Sequence, residues 1–231
     1  MMRLTLRVLA ALLGYPSAEL QAHVVEMRSA LREEGVLPAV AAQRLDPLLD
    51  RLETMDLLDL QADYSELFDR SRSLSLHLFE HVHGDSRERG RAMIDLGAQY
   101  LEGGFYLETT ELPDFVPVFL EFASCLSADE ARETIGQPVH VFAALADRLD
   151  KRGSPYAGIF HALVALAGVR PDADALAEIA ANTPEQDPVD VDAEWEEAPV
   201  SFSVGGAHEM GGPTGVVAKI RAANRPATDR I

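Results

Sequence analysis

The chain has 231 residues, 47% of them hydrophobic, and a formal net charge of −18 at pH 7. This apolar content is enough to form a sizeable folded core. The negative charge argues against binding to nucleic acid or to an anionic membrane surface, because both require a basic footprint. The sequence also has no run close to the roughly 20 apolar residues that cross a membrane.

The first sixteen residues are compatible with either an export signal or a core helix. Their apolar run, Val8–Leu13, is short for a signal peptide. A new amphipathic segment follows Tyr15 and Pro16, where an export signal would have a small-residue cleavage site. We therefore predict a first core helix and a cytoplasmic protein.

Apolar residues recur at helical spacing along most of the remaining chain. Ser17 is predicted to cap a helix that ends at Gly35, because serine accepts bonds from N-terminal amides and glycine adopts the left-handed C-terminal conformation. Pro38 suits the first turn of the next helix, and Thr54 is predicted to cap a third.

Similar signals continue through residue 182. We predict that a helix starts at Pro113 or Asp114, that Ser127 opens a capping box, and that Pro138 separates the two helices after it. No alternating strand pattern of useful length appears. The sequence therefore predicts an all-α fold, a single globular bundle of about eight to ten helices over residues 1–182.

The composition changes after residue 182. Residues 183–202 are strongly acidic and are interpreted as a linker, with Trp195 and Phe202 in a patch that could dock onto the helical domain. Residues 203–231 are rich in glycine and have too little apolar surface to order themselves. For them we predict a mobile, disordered tail.

The chain contains one cysteine, Cys125, within the apolar run 119–126. This position predicts a buried and inert thiol. With a single cysteine, an intramolecular disulfide and a cysteine-based zinc or iron–sulfur site are both excluded.

The densest polar cluster is the segment Ser75–Gly90, SLHLFEHVHGDSRERG, which holds three of the seven histidines. On a helix, His77, Glu80 and His81 would share one face, and two histidines with a carboxylate can bind a metal ion. The full HExxH pattern is missing, because no glutamate follows His77 directly. A polar, hydrogen-bonded helix face is the simpler interpretation, and a metal-dependent hydrolase is kept as the alternative.

Three arginines, at positions 87, 89 and 91, follow these histidines among acidic residues at 85, 88 and 95. Salt bridges within one helix explain the arginines better than a phosphate site does. The sequence has no glycine-rich phosphate loop and no recognisable nucleophile motif.

Five stretches of the chain together resemble one known family. They read LGYP at 13–16, YSELFD at 64–69, LHLFEHVHGDSRERGRAMIDL at 76–96, ELPDFVPVFLEF at 111–122 and EWEEAPVSF at 194–202. In this order they closely resemble the NarJ family, the assembly chaperones of respiratory nitrate reductase within the TorD-like chaperones of molybdenum enzymes. The resemblance covers nearly everything from residue 4 to residue 202.

The resemblance implies an all-helical, cytoplasmic protein that is not an enzyme and binds no cofactor stably. It would bind the N-terminal segment of the catalytic (alpha) subunit of nitrate reductase. It would keep that subunit competent for insertion of the molybdenum cofactor, bis-molybdopterin guanine dinucleotide (bis-MGD), and for membrane docking. Cofactor biosynthesis proteins are further expected partners, and both a monomer and a homodimer fit the sequence.

The wider group of relatives carries an E-P-x-D-H motif between two helical halves. Glu111, Pro113 and Asp114 correspond to its first residues, but Leu112 is inserted and Phe115 replaces the histidine. This departure leaves no basis here for a role borrowed from that histidine.

Clients in this group are basic and amphipathic, so an apolar groove with carboxylates at its rim would suit them. Several of the aromatic candidates also lie on regular helical stripes and fit a core position, and Asp114 also fits a helix N-cap. The candidate client-binding residues are Tyr64, Phe68, His77, Glu80, His81, Asp85, Glu111, Pro113, Asp114, Phe115 and Phe119.

Overall fold

The computed structural model describes residues 2–83, 87–107 and 111–182. The predicted acidic linker (183–202) and glycine-rich tail (203–231) lie outside the described residues, as does Asp85. The three ranges contain thirteen α-helices, a 3₁₀ turn at Arg72–Leu74 and one isolated antiparallel bridge between His77 and Phe115. The all-α prediction is confirmed.

The helices follow one another with short connections. They are α1 (Arg3–Leu12), α2 (Ala18–Ala22), α3 (Val24–Glu34), α4 (Ala39–Gln43), α5 (Asp46–Thr54), α6 (Leu57–Phe68), α7 (Leu78–His83), α8 (Arg87–Glu102), α9 (Val116–Cys125), α10 (Ala128–Gly136), α11 (Val139–Lys151), α12 (Ala157–Ala167) and α13 (Ala173–Asn182). The number exceeds the predicted eight to ten, in part because two predicted helices are each broken into two pieces, one at His23 and one at Arg44 and Leu45.

Most of the predicted helix ends are observed. The hydroxyl of Ser17 accepts a hydrogen bond from the Leu20 amide at 3.1 Å, and Gly35 ends α3 in the left-handed conformation with φ of 61°. The capping box at Ser127 is complete, with Glu130 bonding back to the Ser127 amide. These helix ends could be predicted because a cap involves residues that are neighbours in the sequence.

Two predicted helix starts are wrong. Thr54 is the last residue of α5, where its hydroxyl donates to the Asp50 carbonyl at 2.7 Å, and Asp56 caps α6 instead. The helix predicted at Pro113 or Asp114 begins only at Val116. The backbone just before Val116 is held by the bridge to His77 and so cannot enter the helix.

The core lies between helices that are distant in sequence. α1 packs against α3 and α9, while α12 packs against α11, α10 and α4. The predicted first core helix is confirmed, since leucines at 6, 9 and 12 in α1 are fully buried. The amides of Leu4 and Thr5, at the start of α1, donate to the side chain of Glu34 at 3.2 and 2.7 Å. No helix in the described ranges has the length and apolar character needed to span a membrane.

The prediction of a buried cysteine is wrong. Cys125 is exposed at the last position of α9, whereas its neighbours Ala123 and Ser124 are buried. The apolar run 119–126 is continuous in sequence, but the final turn of the helix has a solvent-facing side and Cys125 lies on it.

Helix α8 is attached less firmly than its length suggests. Of its sixteen residues only Tyr100 is buried, in a small separate cluster with Val118 and Phe122 of α9. Ile94 and Leu101 of the same helix are 72% and 56% exposed. These two apolar side chains therefore contribute little to packing within the described part of the chain.

Gly158 marks the closest approach between α12 and α4. A Cβ atom at this position would overlap the backbone carbonyl group of Arg44, which cannot move independently of its helix. The sequence has glycine here because the two backbones meet directly.

We expect Gly158→Ala to lower the free energy of unfolding by about 2 kcal/mol or more, since overpacking typically costs about 1–3 kcal/mol. Gly90→Ala in α8 is the matched control, because a Cβ at Gly90 meets no atom within 4 Å. Alanine is the better helix former, so the control should gain up to about 1 kcal/mol. Urea denaturation followed by circular dichroism measures both, and equal stability of the two variants would contradict the close packing.

Candidate functional site

The two most distinctive stretches of the sequence meet side by side. The Val116 amide donates to the Leu76 carbonyl at 2.8 Å, and the Leu78 amide donates to the Asp114 carbonyl at 3.0 Å. These bonds form the antiparallel bridge between His77 and Phe115. We call residues 75–79 together with 113–116 the clasp.

Asp114 is the central side chain of the clasp, and it is fully buried. One carboxylate oxygen accepts a hydrogen bond from the Phe79 amide at 3.1 Å, and the other lies 3.2 Å from Nδ1 of His77. Phe79 is the second residue of α7, so Asp114 caps α7 from a segment 35 residues away. It was predicted as a carboxylate at the rim of a client groove, or as a cap for the helix that follows it. The rim position is wrong because the side chain is buried, and the following helix, α9, has no side-chain cap.

His77 lies just before α7 and not on it. Its ring donates to Asp114 and lies against the ring of Phe115, with 5.3 Å between the ring centroids. The hydrogen bond to Asp114 is the largest cause that raises the pKa of His77, and the charges of Asp114 and Glu80 act in the same direction. Burial and the charge of Arg89 oppose this shift.

His81 is fully buried, with Nε2 donating to the Ser75 carbonyl at 2.8 Å. Its other nitrogen, Nδ1, has no hydrogen-bond partner among the described residues. Burial lowers the pKa of His81, and the positive charge of Arg148 adds to this effect. The ring is therefore an internal, neutral group that helps to hold the clasp.

The predicted polar face of His77, Glu80 and His81 is wrong, because the first residue lies outside the helix and the last points inward. Within residues 2–83, 87–107 and 111–182, no three His, Cys, Asp or Glu side chains are placed to hold a metal ion. The structure does not support the metal-dependent hydrolase.

The ion pairs of α8 also differ from the prediction. Arg89 pairs with Glu80 of α7 at 3.1 Å, and each side chain is about one-fifth exposed. The prediction placed its partner within the same helix. This pair ties α8 to α7 and leaves the Glu80 carboxylate with a positive partner.

The clasp also anchors α8 through Tyr100. Its hydroxyl donates to the Pro113 carbonyl at 2.7 Å, and its ring packs against Phe122 with centroids 4.5 Å apart. Burial raises the pKa of Tyr100, which keeps the hydroxyl a neutral donor. A Cβ atom added at Gly97 would lie 3.8 Å from the Pro113 ring, an ordinary van der Waals distance. The hydrogen bond of Tyr100 could not be predicted from the sequence, because its acceptor is a backbone carbonyl 13 residues away in a separate segment.

The structure separates the candidate residues into two groups. Around the clasp, Glu111 is exposed, while His77, Glu80, Pro113 and Phe115 are half-buried. The second group is buried: Tyr64, Phe68, His81, Asp114 and Phe119.

Two of the buried aromatic residues belong to a cluster in the core. Tyr64 packs against Phe68 and Tyr156, and its hydroxyl donates to the Leu13 carbonyl at 2.8 Å. Their helical periodicity had already favoured a core position, and the burial of both residues agrees with it.

Comparison with known proteins bears on the origin of this arrangement. The family described as the nitrate reductase delta subunit matches residues 17–162. NarJ of Escherichia coli K12, a nitrate reductase molybdenum cofactor assembly chaperone, is 46% identical over 196 residues, which cover 84% of this chain and 83% of that protein. The chain belongs to the NarJ family. This membership confirms the resemblance seen in the sequence and places the chain among assembly chaperones and not among enzymes.

Other relatives of the NarJ family agree with this assignment. NarW of Escherichia coli K12 is 38% identical over 199 residues, covering 85% of this chain and 83% of that protein. NarJ of Bacillus subtilis is 30% identical, covering 71% of this chain and 88% of that protein. A crystal structure from Archaeoglobus fulgidus, described as a redox enzyme maturation protein, superposes with a TM-score of 0.52 at 21% identity over 71% of this chain and 92% of that one. That likeness supports the helical fold alone.

Asp114→Ala should lower the free energy of unfolding by about 2 kcal/mol, because it removes the cap of α7 and leaves the partly buried Phe79 amide unpaired. Asp114→Asn should lose less, since the amide oxygen can still accept that bond. Glu133→Ala, at an exposed position of α10, is the control and should stay within about 0.5 kcal/mol of the parent. Equal losses for Asp114→Ala and Glu133→Ala would contradict the capping role.

An NMR titration should show His77 changing charge above the ordinary value of 6.5 and His81 below it. The contribution of His77 to stability is then complete below pH 6.5 and is lost as the pH rises through its raised pKa. The contribution of His81 is complete above pH 6.5 and is lost as the pH falls through its lowered pKa. Asp114→Asn should move the midpoint of His77 down, and an unchanged midpoint would show that Asp114 does not cause the shift.

Proposed function

We propose that this protein binds the N-terminal segment of the catalytic subunit of nitrate reductase and keeps that subunit competent for cofactor insertion. The observation that carries the proposal is 46% identity to a nitrate reductase molybdenum cofactor assembly chaperone over most of both chains. In this role the protein acts in the cytoplasm, before the reductase docks at the membrane. It assists insertion of bis-MGD into the client and holds no cofactor of its own.

The surface beside the clasp has the chemistry for such a client. Phe115 and Pro113 are half-buried, and Leu112 next to them is 40% exposed. Apolar surface of this kind contributes about 25 cal/mol per Å² when a partner covers it. These residues would supply most of the affinity for an amphipathic segment.

Carboxylates near this surface would orient the basic end of the client. Glu111 is exposed, and it lies directly before the apolar residues. Such rim charges accelerate association and fix the register more than they strengthen binding. Glu80 would contribute less, because Arg89 already neutralises it. Asp85 is a further proposed rim residue, outside the described part of the chain.

The buried candidates would act on the client indirectly. Asp114 and His81 hold the clasp in shape, and Phe119 supports it from the core side. Tyr64 and Phe68 lie in the aromatic cluster of the core. We propose that changes at these five positions alter client binding through the stability of the chaperone, whereas changes at Glu111 and Phe115 alter it directly.

Calorimetric titration with a synthetic peptide of the client N-terminus tests the proposal. Phe115→Ala should weaken binding at least tenfold, about 1.4 kcal/mol, because it removes apolar contact area. Glu111→Lys should also weaken binding at low salt, and the effect should shrink as salt screens the charge. Neither change should unfold the protein, which circular dichroism can verify.

Glu133→Lys provides the matched control, since Glu133 is an exposed glutamate on α10. It makes the same change in net charge as Glu111→Lys, so it should leave the affinity nearly unchanged. A parent protein that does not bind the peptide at about 100 µM, a concentration far above that of ordinary specific complexes, would overturn the assignment of the N-terminal segment. Binding that is unaffected by both Phe115→Ala and Glu111→Lys would overturn the proposed surface.

A further inference from the structure

The outward side of α6 is exposed along the length of the helix. At about 100° per residue, Leu58, Ala62 and Ser65 lie within about 60° of one another, and Asp69 continues the same line at the helix end. Leu58 is 73% exposed, Ala62 and Asp69 are also exposed, and Ser65 is half-buried. We call these four residues the α6 face. Its apolar and polar groups are open to a partner.

Carboxylates line one side of the α6 face. Asp59 and Glu66 project from the same side, about 20° apart around the helix, and both are exposed. We call these two residues the acidic edge. Neither of them forms an ion pair within the described ranges, and the same is true of Asp69. Helix α6 itself contains no lysine or arginine, and the three carboxylates outnumber Arg70, the base that follows them.

An exposed aromatic ring borders the opposite side of the α6 face. The Gln61 amide donates to the Pro16 carbonyl at 2.8 Å, which holds the segment after α1 against α6. Tyr15 in this segment is 55% exposed, and its ring meets the ring of Tyr64 edge-on with 5.5 Å between centroids. The α6 face therefore has carboxylates on one side and a fixed, accessible ring on the other.

The α6 face continues into the surface proposed for the client beside the clasp. Burial is the largest cause that raises the pKa of Tyr64, and the charges of Tyr156, Asp69 and Glu111 act in the same direction. Charges more than about 10 Å apart are largely screened. Asp69 at the end of α6 and Glu111 beside the clasp therefore lie near the same hydroxyl, and Leu112 follows Glu111 directly.

We propose that the α6 face receives the basic end of the client segment whose apolar part lies beside the clasp. This inference rests on the proposed function. A segment that passes Glu111 would run along α6 from Asp69 to Leu58, about 18 Å for a helix of twelve residues. Its apolar side chains would cover Leu58 and Tyr15, and its lysines or arginines would pair with the acidic edge.

The charge of the acidic edge selects a basic occupant. Two copies of this face would bring carboxylates together, and the net charge of −18 on each chain adds to the repulsion. A nucleic acid or an anionic membrane would be repelled for the same reason. Arg51 of α5 is paired with Asp63 and so does not neutralise the acidic edge. The negative end of the α6 dipole also favours a cation near Asp69.

Calorimetric titration of the full chain with the client peptide tests the charge contact. Glu66→Lys should raise the dissociation constant about fivefold at low salt, and the effect should shrink as salt screens the charge. A peptide whose basic residues are replaced by glutamine should not respond to Glu66→Lys, because it has no charge to pair. Glu33→Lys is the matched control, since Glu33 is exposed in the last turn of α3 as Glu66 is in the last turn of α6.

The apolar contact is tested in the same titration. Leu58→Ser should raise the dissociation constant about threefold or more, because it removes apolar area that the client covers. Val25→Ser on α3 is its matched control, since Val25 is 60% exposed and Leu58 is 73% exposed. Both controls should leave the affinity nearly unchanged, and circular dichroism verifies that all four variants are folded.

The outcomes separate this inference from the proposed function. Equal effects of each variant and its control, or a glutamine peptide that still responds to Glu66→Lys, would overturn the role of the α6 face. Weaker binding by Phe115→Ala without any effect of Glu66→Lys and Leu58→Ser would overturn this inference alone and leave the proposed function standing. A parent protein that does not bind the peptide would overturn both.

Discussion

The Asp114 side chain, shielded from solvent, holds the start of α7 through the Phe79 amide and holds the ring of His77 beside it. A carboxylate removed from water is stable only where hydrogen bonds replace its hydration. Here the Phe79 amide at the start of α7 and the imidazole of His77 provide these hydrogen bonds, and the carboxylate caps the helix. One side chain therefore determines where α7 begins and how it meets the segment leading into α9.

The position of helix α8 also depends on the clasp and on α7. It is tied to the clasp by the Tyr100 hydroxyl and to α7 by Arg89, while its remaining length has few internal contacts. A rigid centre with a loosely attached helix suits a chaperone, which must expose apolar surface to a client without exposing its own core. Asp114 is buried and holds the clasp from inside, whereas the neighbouring Phe115 is half-buried and is the residue that we propose to contact the client.

The sequence was sufficient to predict the features that depend on residues close together in the chain. Helical stripes, the caps at Ser17 and Ser127 and the end at Gly35 were predicted because each involves residues within one turn. The partners of the polar side chains were not predicted correctly. The carboxylate that caps α7 comes from 35 residues away, and Arg89 pairs with a residue of another helix. The clasp could be located by its unusual composition, but its internal bonds required the fold.

The start of α1 has a consequence for how the chain acquires its fold during synthesis. The amides of Leu4 and Thr5 are satisfied by Glu34, at the end of α3, so the two helices can stabilise each other early. The apolar side of α1 also packs on α9, which begins only at Val116. Until α9 has left the ribosome, buried leucines of α1 lack one of their partners. During about half of translation, α1 therefore lacks one of the surfaces that bury it. The N-terminal helix of this chaperone must itself wait for a later segment of the same chain before it is fully packed.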